Sequence, residues 1–390
     1  MDMLGLSAEQ IDGAGAHWTA REILQQPRIW SEIDGLLRAD AVRRETFLAP
    51  LLERSDLRVV LTGAGTSGFI GECVAPALAS RWGRRVEAVS TTDLISSPRS
   101  WLSADIPTLL VSFGRSGNSP ESVAALDVAE ECVKQCFHLV VTCDRAGALN
   151  RRAEEASNAY SIVLPEASND RSFAMTSSFT GMVYAAMIAL RALPPSGARA
   201  LALGQLAEQV IPGRVPVIRS LVEQGFERAV YLGSTELKGL AREAALKMLE
   251  LTDGKVVAIA DSPLGFRHGP KTILNRHTLV VVFVSNDDYT RQYDLDLINE
   301  LRREAVAGRV VALSARPGVD SHVDDIELRG GRDAAPASDL ELCLPYAVFA
   351  QTLALLRSLS LGVRPDDPNA AGTVSRVVKG VSIHPWRGTA

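Results

Sequence analysis

Glu243, Lys247 and Glu250 stand four and three residues apart in Glu243-Ala244-Ala245-Leu246-Lys247-Met248-Leu249-Glu250. On a helix these intervals form one stripe. The plain alternative is a solvated face of ion pairs. Leu246, Met248, Leu249 and Leu251 leave little of this helix for solvent, however, and a carboxylate in partly apolar surroundings is a useful general base. Shortly downstream comes Leu264-Gly265-Phe266-Arg267-His268-Gly269-Pro270-Lys271. A histidine between a basic residue and Gly-Pro falls on a turn, from which it can point into a cleft and move protons near neutral pH. Other histidines, such as His17 and His384, have no such setting.

Two further stretches suit anion binding. Gly63-Ala64-Gly65-Thr66-Ser67-Gly68 and Gly114-Arg115-Ser116-Gly117-Asn118-Ser119 each follow an apolar run and open a helical one, the second through Pro120. Glycines let backbone approach a ligand, and hydroxyls with helix-start amides donate to phosphate oxygens. Thr66, Ser67, Ser116 and Ser119 are the donors, and Arg115 adds charge. Read blandly, each stretch is a tight turn with a serine N-cap. Gly63, Gly65 and Gly68 also match the dinucleotide spacing G-x-G-x-x-G, with Glu87 about 20 residues on. That reading leaves the second hydroxyl loop unexplained. A nucleophile elbow, G-x-S-x-G, fails at Asn118.

The elements that carry these residues repeat. Leu57–Gly63 resembles Glu227–Gly233, Thr108–Phe113 resembles Thr278–Phe283, and Val140-Val141 matches Val310-Val311, all at an offset of 170 residues. Short β-branched runs alternate with amphipathic stretches, the pattern of parallel sheets covered by helices. Strands are expected near 57–62, 85–90, 107–112 and 138–142, then near 228–232, 255–259, 278–283 and 309–313. Helices are expected near 67–82, 119–135, 173–192, 235–250, 288–304 and 339–362. The organisation predicted is a helical segment 1–55 interrupted at Pro27 and Gly35, a phosphate-binding domain 56–196, a catalytic domain 197–362 and a tail 363–390. Ligands of open parallel sheets bind beyond the carboxyl ends of the strands, where both hydroxyl loops fall. In the second copy the loop is Val284-Ser285-Asn286-Asp287-Asp288-Tyr289, whose two carboxylates would repel phosphate.

Composition narrows the function classes. The 390 residues are 46% hydrophobic and 22% charged, with net charge −5, so no basic footprint points to nucleic acid. Apolar stretches such as Thr278 to Val284 are too short to span a bilayer, and Met1 to Gln10 lacks the basic start of a secretory signal. An odd count of five cysteines argues for a reducing compartment, with the cytoplasm as the expectation. Cys132 and Cys136 are spaced for one helix face and, without partnering ligands, read as core, so no metal or cofactor is expected.

Gly65-Thr66-Ser67, Ser116-Gly117-Asn118-Ser119, the Lys247/Glu250 helix and His268-Gly269-Pro270 together resemble the sugar isomerase (SIS) domain family. Asn169 to Phe179 and Asp261 to Pro270 are similar to the galactosamine-6-phosphate deaminase/isomerase group within it, also called tagatose-6-phosphate ketose/aldose isomerase. The resemblance implies two tandem, flavodoxin-like doubly wound α/β domains arising by duplication. It implies that Ser67, Arg115, Ser116 and Ser119 hold a phosphate, with Gly65 and Thr66 beside the sugar and Thr176 lining the pocket. Glu250 matches the proton shuttle between C2 and C1. His268 matches the ring-opening acid/base, often donated by a neighbouring subunit, which implies a homodimer or larger homo-oligomer. Lys247 would steady an oxyanion or Glu250, and Lys379 falls where a tail lysine reaches the pocket in the glutamine-dependent synthase branch. That branch also needs an N-terminal glutaminase domain, for which residues 1–55 are too few. The reaction expected is galactosamine 6-phosphate to tagatose 6-phosphate and ammonia. Its rivals are plain aldose/ketose isomerisation, glucosamine-6-phosphate deamination, and a non-catalytic sugar-phosphate sensor. The sensor usually wants a basic DNA-binding segment, absent from 1–55, and gives Glu250 and His268 no chemistry.

Overall fold

The computed structural model describes residues 4–211, 213–319, 322, 325–330, 335–378 and 380–386. The chain divides into two compact units. The first-sheet unit comprises Ser31–Asn169, Ser177–Ser196 and Gly372–Ala390, and the second-sheet unit Met1–Trp30, Asp170–Thr176 and Gly197–Ala371.

In the first-sheet unit, β1 (Arg58–Gly63), β2 (Val86–Ser90), β3 (Thr108–Gly114), β4 (Cys136–Thr142) and β5 (Ala159–Val163) form a parallel sheet of order β2-β1-β3-β4-β5. In the second-sheet unit, β6 (Arg228–Gly233), β7 (Val257–Asp261), β8 (Thr278–Phe283), β9 (Arg309–Ser314) and β10 (Ile326–Glu327) repeat that order as β7-β6-β8-β9-β10. Arg58 and Arg228 open equivalent strands, as do Thr108 and Thr278, each pair 170 residues apart. The duplicated α/β fold read from the sequence is therefore present. The central strands β3 and β8 are buried along their whole length, which accounts for their near-continuous apolar runs. The edge strands β5 and β10 were not expected; one is only half-buried and the other two residues long, so neither carries a strong apolar signal.

Helices Thr66–Trp82, Pro120–Cys132 and Ser177–Ala189, and Glu236–Leu251, Asp288–Glu304 and Asp339–Ser360, lie within a few residues of their expected places. Two boundaries differ for identifiable reasons. The helix expected from 173 begins at Ser177 because Asp170–Thr176 belongs to the second-sheet unit, where side chains of that unit hold it. The helix expected to reach 135 ends at Cys132, since Val133 is already extended at φ −121°, ψ 122°. Cys136 opens β4, so the two cysteines do not share a helix face.

The N-terminal stretch forms helices Ala8–Gly13, His17–Leu24, Gln26–Ala39 and Ala41–Leu52. Pro27 sits in the first turn of its helix, where no N–H is required, and Gly35 lies within that helix without breaking it. Asp339–Ser360 starts on a capping box formed by Ser338 and Glu341. It is long and apolar enough to cross a membrane, yet almost all its residues are buried inside the protein, as expected of a core helix.

Candidate active site

The strand order in the first-sheet unit reverses direction between β1 and β3, the switch point at which such sheets bind ligands. Both hydroxyl loops lie there. Gly65, at φ 54° and ψ −128°, caps helix Thr66–Trp82, a conformation that favours glycine. Gly63 packs so closely on the helix that an added Cβ would stand 2.5 Å from the Ser67 carbonyl carbon. Thr66 and Ser67 are buried in the first turn, beside the helix-start amides. In the second loop Gly117 has φ +61°, and Ser116 Oγ accepts from the Asn118 amide at 3.3 Å. Ser119 acts as N-cap, accepting from the Ser122 amide at 3.3 Å and sharing a 2.6 Å hydrogen bond with the Ser122 hydroxyl. The bland reading of Ser119 is thus also true: it shapes the loop locally. Arg115 is 6% exposed, and its guanidinium donates to the Arg376 carbonyl at 2.8 Å.

The sequence reading missed a third group at this edge. Ser90, Thr91 and Thr92 follow β2, next to Gly63, with Ser90 Oγ 3.3 Å from the Gly63 carbonyl. Applying the search for hydroxyls after a strand to β2 would have found them. Thr62 Oγ1, Thr91 Oγ1, Ser112 Oγ and Glu121 Oε2 are buried and have no hydrogen-bond partner among the described residues. Thr62 and Ser112 are neighbours in register. Such orphaned oxygens at a switch point are what a polar ligand with its water would satisfy. Glu87 does not fit the dinucleotide reading. It pairs with Val60 in mid-strand and forms ion pairs with Arg58 at 2.6 Å and Arg85 at 3.1 Å, away from the carboxyl edge.

The corresponding edge of the second-sheet unit is closed from within. Asp294 accepts from the Ser285 amide at 2.8 Å and the Ser234 hydroxyl at 3.0 Å. Asp339 takes the Ser285 hydroxyl and, at 2.6 Å, the Asn286 amide. The donors that face an open edge in one copy are bonded to internal carboxylates in the other. Burial pushes Asp294 up to about 6 and raises Asp339 as well. Thr235, at φ 49° and ψ −117°, adopts nearly the dihedrals of Gly65 although it is β-branched.

Helix Glu236–Leu251 carries the charged stripe as expected. Lys247 is 1% exposed, and its ammonium lies 3.5 Å from Glu243 Oε1 and hydrogen-bonds Glu250 Oε2. Glu243 is equally buried, whereas the Glu250 side chain is 25% exposed, the one member of the trio able to meet a substrate directly. His268 is exposed on the turn after β7. Arg267 bonds Glu300 at 2.9 Å, and Lys271 bonds Glu300 and Glu304, so ion pairs on both sides hold the turn. These residues do not converge within the unit. The helix ends at Leu251 before the amino end of β7, and His268 follows the carboxyl end of β7. A five-residue strand, about 16 Å at 3.3 Å per residue, lies between them.

Thr176 is fully buried directly before helix Ser177–Ala189, with its amide 2.7 Å and its hydroxyl 3.1 Å from the Asp170 carboxylate. Glu22 completes that clamp, accepting from the Ser172 amide at 3.2 Å and hydrogen-bonding the Ser172 hydroxyl and the Arg171 amide. Burial, with Asp170 nearby, raises the Glu22 carboxyl to about 7. Neither acid was singled out from sequence; Glu22 looks like any surface helix residue until the loop folds onto it. Lys379 lies outside the described residues.

Comparison with known proteins places these observations. The SIS domain family model matches residues 51–192. The D-galactosamine-6-phosphate deaminase AgaS of Escherichia coli is 48% identical over 387 residues, covering 95% of this chain and 96% of its own. The protein of that name from Shewanella sp. (strain ANA-3) is 43% identical over 384 residues, covering 98% and 95%. The crystal structure of tagatose-6-phosphate ketose/aldose isomerase from Escherichia coli superposes with a TM-score of 0.86 at 43% identity, covering 95% of this chain and 97% of that one.

Proposed function

Since the chain belongs to the SIS domain family, in its AgaS group, we propose that it converts galactosamine 6-phosphate and water to tagatose 6-phosphate and ammonia. The observation that carries this reading is the near full-length identity to proteins named for that deamination. The local geometry supports each role. Gly65, Thr66, Ser67, Arg115, Ser116 and Ser119 surround the switch point and hold the phosphate through helix-start amides, hydroxyls and one guanidinium. Glu250 takes the proton from C2 of the open-chain amino sugar and returns it to C1, turning the amino aldehyde into a C2 ketimine. Water then adds to C2 and ammonia departs. The buried Lys247 ammonium aims the Glu250 carboxylate and stabilises it whenever it is ionised. His268 is the ring-opening acid/base. We read it as donated by a second copy of the chain, because in its own unit β7 lies between it and Glu250. The enzyme would then be at least a homodimer.

Isomerisation without deamination is the second reading, favoured by the name of the Escherichia coli structure, and it uses the same proton shuttle. Purified protein assayed with galactosamine 6-phosphate, glucosamine 6-phosphate and tagatose 6-phosphate, following ammonia and ketose together, separates them. Ammonia from galactosamine 6-phosphate, abolished in Glu250→Gln, is the expected result. Ketose–aldose turnover without ammonia would move the assignment to the isomerase, and ammonia from the gluco epimer would move the substrate. Mixing inactive Glu250→Gln with inactive His268→Asn tests the shared site. Activity that returns on mixing supports donation by a second copy, and none returning from stably mixed oligomers refutes it.

A further inference from the structure

The stretch Glu130-Glu131-Cys132-Val133-Lys134-Gln135-Cys136-Phe137-His138 has no part in the chemistry above. Its fold nonetheless gathers three metal-ligating side chains. Cys136 and His138 are two residues apart on β4, so they leave the strand on one face, and both are buried. Helix Pro120–Cys132 ends beside them and supplies Glu130. His138 Nε2 is 2.8 Å from Glu130 Oε1 and 3.5 Å from Cys136 Sγ, and all three ligand atoms lie within 4.8 Å of one another. Tetrahedral ligands held at about 2.0–2.3 Å from zinc stand roughly 3.3–3.7 Å apart, so small side-chain adjustments suffice. Cys132, the last residue of the helix, is near enough for its charge to bear on the Cys136 thiol.

The protonation states are compatible with a cation. Burial lowers His138, leaving a neutral imidazole at neutral pH. Burial raises Cys136 to about 12, so a metal must displace the thiol proton, as it does on binding many protein thiols. His138 Nδ1 is buried and makes no hydrogen bond among the described residues, so no partner there locks the tautomer. Asn158 Nδ2 donates to Glu130 Oε1 at 2.7 Å and to the Cys136 carbonyl at 2.9 Å, which orients the carboxylate toward the cluster. The nearby Arg152 is paired with Asp127, which offsets its charge.

We propose that Glu130, Cys136 and His138, joined by Cys132, bind a thiophilic divalent cation of the zinc type. Thiolate and imidazole select that class over magnesium or calcium. On binding, each ligating thiol releases one proton to solvent, and the Nε2 proton passes to Nδ1, so the imidazole stays neutral. The cluster stands where β4 begins, whereas the loops after β1 and β3 stand at the opposite edge of the sheet. The site is therefore structural or regulatory, and its test needs no turnover.

Cobalt(II) is the probe, titrated into the reduced, chelator-treated full-length protein while thiolate-to-cobalt absorption is followed. The expected result is a tetrahedral cobalt spectrum saturating at one ion per chain and displaced by zinc. Cys136→Ser should abolish the charge-transfer band, and Glu130→Gln should weaken binding by about tenfold or more, in line with other ligand-shell losses. Cys143→Ser, a buried cysteine outside the cluster, should leave the titration unchanged. Should Cys136→Ser fail to fold, Glu130→Gln at the exposed position still decides the matter. No thiolate band in the wild type, or a band indifferent to Cys136→Ser and Glu130→Gln, overturns the proposal.

Discussion

Replacing Lys247 with methionine keeps most of the side-chain volume and deletes one charge. Lys247 and Glu243 are both almost completely buried, and the ammonium also hydrogen-bonds Glu250. Without it, Glu243 remains in the interior without the cation that balances it. Breaking a buried pair from one side costs about 3–5 kcal/mol. A domain's total stability is about 5–15 kcal/mol, so Lys247→Met removes a third of it or more. The double variant Lys247→Met/Glu243→Gln removes the stranded charge as well, and should recover about 2 kcal/mol of the loss. Urea unfolding followed by circular dichroism measures all the variants, Glu243→Gln included, to complete the cycle. Activity should not recover with stability, because Glu250 has lost its partner in both Lys247 variants. A cost below about 1 kcal/mol for Lys247→Met, or additive losses in the double variant, would refute the view that a balanced buried charge holds this helix.

Three other changes test separate features. Thr235→Gly should stabilise the protein by about 1 kcal/mol, since relief of about 1–3 kcal/mol of backbone strain exceeds the entropy that glycine adds to the unfolded chain; a lower melting temperature contradicts this. Gly63→Ala places a Cβ 2.5 Å from the Ser67 carbonyl carbon, so the loop must shift; the apparent affinity for sugar phosphate should fall by about tenfold or more, and an unchanged KM would remove this loop from the phosphate site. Asp294 is pushed from 3.8 to about 6, so the folded protein keeps a proton that the unfolded chain has lost between those values. Its stabilising contribution is complete below pH 3.8, declines through the window and is gone above about pH 6. At about 1.4 kcal/mol per pH unit this amounts to about 3 kcal/mol, so Asp294→Asn should gain about that much relative to wild type between acid and neutral pH; parallel urea-stability profiles would refute it.

Much of this molecule was written in local pattern. The 170-residue offset, the eight principal strands and the stripe Glu243, Lys247 and Glu250 follow from apolar periodicity, which depends only on neighbours along the chain. Glycine spacing likewise marked both loops, because backbone must approach closely at Gly63 and turn left-handed at Gly65 and Gly117. Tertiary structure decided what depends on residues distant in sequence. Glu22 becomes a buried clamp only when Ser172 folds onto it, 150 residues away. Asp294 and Asp339 close the second copy's loop edge only once two helices bring them to Ser285. Cys136 meets Glu130 because the helix stops at Cys132 and the strand begins four residues later, a boundary too fine for periodicity to place. Sequence determines which side chains share a face, whereas only packing decides which faces meet and which buried charges find a partner.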